Sequence, residues 1–158
     1  PELSRGLGDV YKRQLHANGS HLGGNMLFLW LFGVVVGELC GWRWMLAAFL
    51  LPTIGGSIGQ LLLDPESPIP GLGASGGVMG LEGFYFGLAF LHPRPNSYVW
   101  PLARPVNSTQ LAAAGVVGVG LDFLGLMGPA SNVGHGAHIG GFITGMLLST
   151  LANRFIPR

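Results

Sequence analysis

Gly71-Leu72-Gly73-Ala74-Ser75-Gly76-Gly77-Val78-Met79-Gly80-Leu81 sets one serine among glycines, where a polar, proline-rich loop gives way to a long apolar run. The stretch fits Gly-x-Ser-x-Gly at Gly73, Ser75 and Gly77. In soluble α/β hydrolases that pattern forms a nucleophile turn, which needs a strand before the serine and charged helices around it. It equally fits the first turn of a membrane helix. There, free backbone N–H groups and the positive end of the helix dipole lie close to the hydroxyl and favour a developing negative charge. The flanking sequence decides between the two.

Only 9% of the 158 residues are charged, 49% are hydrophobic, and mean hydropathy is +0.49. A soluble domain carries about 25% charged residues, so this chain is composed for a lipid solvent. Its 28 glycines agree. Glycine is costly inside water-exposed helices, whereas in membrane bundles it lets backbones approach closely where no hydrophobic drive is available. The single Cys40 cannot form an internal disulfide and says nothing of redox compartment.

The formal net charge of +1 is distorted by the first residues. Ser4-Arg-Gly-Leu-Gly-Asp-Val-Tyr-Lys-Arg-Gln14 resembles the translation of a transposon-end sequencing adapter. Residues 1–14 are therefore read as a non-native segment and set aside. Residues 15–158 are taken as one domain.

From His21 the chain is a ladder of apolar segments, each near the ~20 residues that a bilayer-spanning helix needs. Five spans are expected, at about 21–39, 42–63, 74–91, 106–127 and 136–153, making an all-α, polytopic membrane bundle. Arg43, Arg94, Arg104, Arg154 and Arg158 all fall after spans one, three or five, and the loops after spans two and four hold no Lys or Arg. By the positive-inside rule those arginines are cytoplasmic. His21, the loop before Ser75 and the loop before His138 then converge on the opposite side. Flanks of this kind exclude the soluble-hydrolase reading.

Serine hydrolysis needs a base for the hydroxyl proton, and histidine is suited to that near neutral pH. His138 opens span five as Ser75 opens span three. Gly141 and Gly145 on one, with Gly76, Gly80, Gly83 and Gly87 on the other, offer small-xxx-small surfaces for close packing. His21 and Asn25 lie one turn apart on span one, and both can donate hydrogen bonds to an oxyanion.

At these residues the chain resembles the rhomboid intramembrane serine proteases. The resemblance rests on His21-Leu-Gly-Gly-Asn25 with the following Met26 to Gly33, on Gly73-Ala-Ser75-Gly76, and on Ala137-His138-Ile-Gly-Gly141 with Gly145. It implies Ser75 as nucleophile and His138 as general base, a dyad without an aspartate. His21, Asn25 and the Ser75 backbone N–H would stabilise the oxyanion, and His16 would have a supporting role. It also implies serine-type endopeptidase activity on transmembrane protein substrates, in or near their spans, with no cofactor. The expected placement is a bacterial inner membrane with the active site towards the non-cytoplasmic side. The chain departs from the family in lacking a further span ahead of the His-x-x-x-Asn helix. Met79 also stands where many relatives carry an aromatic residue against the catalytic histidine.

Two other readings remain open. One is a non-catalytic rhomboid-like protein that binds membrane helices; the other is a small proton-coupled transporter using Glu82 and Asp122, acids placed inside spans. A structural role for Glu82 between helices is preferred over the latter. His135 and His138 lack the partners of a metal site, and no basic patch with interleaved aromatics points to nucleic acid. Trp42, Trp44 and Trp100 are read as interfacial anchors.

Overall fold

The computed structural model describes residues 19–66, 74–91, 107–127 and 133–155. Segment 1–14, His16, Arg94, Arg104, Trp100 and Arg158 lie outside them. The described residues form five helices and no strand: α1 (Gly19–Cys40), α2 (Trp42–Leu63), α3 (Ala74–Leu91), α4 (Ser108–Met127) and α5 (His135–Ala152). These helices cover the five apolar segments expected as spans, α2 and α3 to the residue and the others with ends shifted by one or two residues. The shift at α4 has a visible cause. The Gln110 N–H donates to Asn107 Oδ1 at 2.8 Å and the Asn107 N–H donates to Gln110 Oε1 at 3.2 Å, a reciprocal cap that starts the helix at Ser108.

Among the described residues, α1 and α2 have stretches long and apolar enough to cross a membrane, Leu22–Cys40 and Trp42–Leu63. They are joined by one residue. Gly41 has φ +82°, a conformation glycine adopts without a Cβ penalty, and it lets the chain reverse between two helices without a loop. The outward face of α2 carries Leu50, Ile54, Ile58, Leu61 and Leu62, all exposed. That is a surface for lipid.

α2, α3 and α5 form the centre, with α5 seated on both others, while α4 touches its neighbours more sparsely. The reason is glycine. A Cβ on Gly141 or Gly145 would run into the carbonyl of Gly76 or Gly80, and one on Gly83 would meet the carbonyl of Phe142, so α3 and α5 run backbone against backbone. α2 meets α5 in the same way, since a Cβ on Gly59 would lie 2.6 Å from the Gly136 carbonyl. Pro52, buried within α2, fills the space above Gly80.

Below this seam the core is apolar and aromatic: Phe32, Val35 and Val36 of α1 pack with Leu81, Phe84, Tyr85 and Leu88 of α3. Trp42 is exposed, with the Arg43 guanidinium 5.5 Å from its ring centroid. Trp44, also expected as an anchor, is half-buried. Its ring packs on Phe84 and Phe155 at 6.2 and 6.3 Å, so it closes the inner end of the core.

Candidate active site

Ser75 is the second residue of α3 and is half-buried. The first N–H groups of a helix have no intrahelical acceptor, so its hydroxyl stands beside unsatisfied donors and the positive end of the dipole. His138 is the fourth residue of α5, also half-buried, and its N–H closes the first helical turn by donating to Gly134 O at 3.1 Å.

The two first turns meet. A Cβ on Gly76 would stand 3.4 Å from the Ala137 carbonyl oxygen and 3.7 Å from Gly56 Cα, and one on Gly56 would stand 2.6 Å from the same oxygen. Three helices therefore touch at Gly56, Gly76 and Ala137. Ser75 precedes one of these contact residues and His138 follows another. A side chain larger than hydrogen at Gly56 would run into the Ala137 carbonyl and wedge the turns apart, whereas a methyl at Gly76 would sit in ordinary contact.

α1 packs against α3 further along both helices. Gly33 lies against Leu81, and the Phe32 and Tyr85 rings are 6.0 Å apart. Asn25 precedes Gly33 by eight residues on α1, and Ser75 precedes Leu81 by six on α3. Asn25 is half-buried. His21 is in the first turn of α1, and its side chain lies outside the described residues.

His135 sits one turn before His138 with the ring centroids 6.4 Å apart and the planes nearly perpendicular. It presents an aromatic edge to that imidazole from its own helix. Met79 is buried in α3. Glu82 is fully buried two turns below Ser75, its carboxylate lodged against α4 where Gly115 and Gly118 leave room for it. This is the interhelical place expected of Glu82, and it is at the α3–α4 contact. The side chain of Asp122 lies outside the described residues.

Sequence reasoning missed Gln60. This α2 residue is buried, and its Oε1 accepts the Ala137 N–H at 3.0 Å from 77 residues away. A polar residue within an apolar span was the available signal. Its partner is a backbone N–H, which leaves no mark in a sequence. The Gly55, Gly56 and Gly59 cluster of α2 is the seat for α5.

Comparison with known proteins identifies a family. Residues 12–155 match the Rhomboid domain. The RHOMBOID-like protein 12, mitochondrial, of Arabidopsis thaliana is 31% identical over 143 residues, covering 80% of this chain and 40% of that protein. The Rhomboid-like protein 11, chloroplastic, of the same plant is 29% identical over 152 residues, covering 89% and 50%. Rhomboid protein 1, mitochondrial, of Saccharomyces cerevisiae is 29% identical over 147 residues, covering 90% and 41%. The chain thus spans half or less of the length of these relatives. They are named for mitochondria and chloroplasts, so the bacterial inner membrane expected from the sequence finds no support in them. No solved structure matches the chain.

Proposed function

The chain belongs to the rhomboid family, and from that premise we propose that it is an intramembrane serine endopeptidase whose dyad is Ser75 and His138. Its substrates are other membrane proteins, cut in or near a transmembrane segment. The observation that carries the proposal is the three-helix contact at Gly56, Gly76 and Ala137, which holds the first turns of α3 and α5 together one residue from each member of the dyad.

The geometry supports the following sequence. Ser75 Oγ attacks the scissile carbonyl carbon while the His138 imidazole takes the hydroxyl proton. The tetrahedral oxyanion is held by the Ser75 N–H, with Asn25 and His21 of α1 donating from the side. Collapse expels the amine, which takes the proton from His138, and leaves an ester on Ser75. Water, deprotonated by the same imidazole, then attacks the ester and releases the carboxylate and the free serine. The reacting groups stand at helix starts, where a hydrated cavity can form while the lipid-facing surfaces below stay apolar. The non-cytoplasmic side is the face this reading assigns to them.

The test is covalent labelling of the detergent-purified chain with a fluorophosphonate. We expect labelling of the parent and its loss, by about 10³-fold or more, in both Ser75→Ala and His138→Ala. Labelling that survives Ser75→Ala, or none in a folded parent, would defeat the proposal.

A further inference from the structure

α5 lacks a cap of its own. Its N-cap residue is Gly134, which has no side chain to bond the free N–H groups of the first turn. The bond comes instead from another helix: Gln60 Oε1, at the outer end of α2, accepts the Ala137 N–H at 3.0 Å. Gln60 is 4% exposed, and a buried amide in such a place is held by its bonds. Its Nε2 reaches towards Asp64 Oδ2 at 3.5 Å. Room is made for it on α5, because a Cβ on Gly134 would come 3.3 Å from Oε1 and one on Gly136 would come 3.0 Å from it. A conventional capping side chain at Gly134 would therefore crowd the glutamine that replaces it.

Ala137 is held by α2 through both its polar backbone groups. Its N–H goes to Gln60, and its carbonyl lies against Gly56. The next residue is His138. α2 carries none of the proposed reacting groups, yet it grips the residue from which the imidazole hangs. We infer that Gln60 is a positioning residue for His138: its capping bond across the bundle sets the height and tilt of the first turn of α5, and with it the aim of the imidazole at Ser75. This rests on the dyad proposed above. Gln60 touches neither reacting group and acts only through the helix it caps.

A residue that merely supported the fold would change how much folded protein there is. A positioning residue changes how fast folded protein reacts. Fluorophosphonate inactivation should therefore be followed at several probe concentrations for the parent, Gln60→Leu and Gln60→Glu, each as the full chain after size-exclusion in detergent. Gln60→Leu removes the acceptor, whereas Gln60→Glu keeps an acceptor oxygen in place. We expect the limiting rate of Gln60→Leu to fall about 10- to 100-fold, the scale of a misplaced catalytic group. The half-saturating probe concentration should stay unchanged, and Gln60→Glu should stay within about threefold of the parent by the same measure. A folded Gln60→Leu that reacts at the parental rate overturns the inference, as does a folded Gln60→Glu that is as slow as Gln60→Leu. Where Gln60→Leu does not fold, Gln60→Glu alone decides: near-parental reaction supports the role, and reaction at the Ser75→Ala background overturns it. A folded parent that does not react defeats the dyad itself, a failure visible before either variant is read.

Discussion

The α2–α3–α5 seam and the attachment of α4 are built from the same residue type and behave as opposites. At Gly141, Gly145 and Gly83 in the seam, the facing atoms are backbone: the carbonyls of Gly76, Gly80 and Phe142 fill the space where a Cβ would stand, and a carbonyl has no side-chain torsion by which to turn away. On α4, Gly115 and Gly118 face the end of one side chain, the Glu82 carboxylate, which has torsions of its own. The outer surface of α4 exposes Val116, Val117, Leu121 and Phe123. A glycine against backbone fixes a position, while a glycine against a flexible side chain leaves an adjustable joint. The proposed chemistry sits on the fixed side, at the upper end of the seam.

The sharpest way to break this contrast is to add bulk to the seam. Gly141→Val should abolish recovery of folded, monodisperse protein, because a backbone-to-backbone clash exceeds the ~1–3 kcal/mol of ordinary overpacking. Recovery by detergent size-exclusion measures it, and a folded variant would show that the seam can part. A matched pair of single methyl groups is finer. Gly145→Ala should lower the thermal midpoint by the equivalent of at least ~2 kcal/mol. Gly118→Ala, whose Cβ would meet Glu82 Oε1 at 3.1 Å, should cost no more than ~1 kcal/mol. Equal effects would erase the distinction. Glu82→Gln, nearly isosteric, should keep fluorophosphonate labelling within about threefold while shifting stability by ~1 kcal/mol or less; loss of labelling in a folded protein would give Glu82 a part in the chemistry. Least of all should come from the lipid face, where Leu62→Ala is expected to stay within ~0.5 kcal/mol of the parent in thermal denaturation.

Helices were the most legible part of this chain. Apolar runs of span length located all five, because in lipid a backbone must satisfy its own hydrogen bonds and a helix is the way to do so. The closeness of α3 and α5 was legible too, from the spacing of Gly76, Gly80, Gly83 and Gly87 against Gly141 and Gly145. What α2 does was not. Gly55, Gly56 and Gly59 carry the same small-residue signal, but spacing alone does not say which helix a glycine faces. Gln60 was hidden for a different reason, its partner being a main-chain N–H on a helix distant in sequence. The inward packing of Trp44 was equally invisible, since a tryptophan at a span end satisfies either an interface or a core.

The seam also bears on how this protein could recover from a harmful change. A defect in a side-chain core can be suppressed genetically by a second substitution that trims the neighbour. At Gly141 the neighbour is the Gly76 carbonyl, which every amino acid carries. A selection for revertants of a bulky residue at 141 should therefore return the glycine codon itself and few second-site suppressors among the seam's side chains.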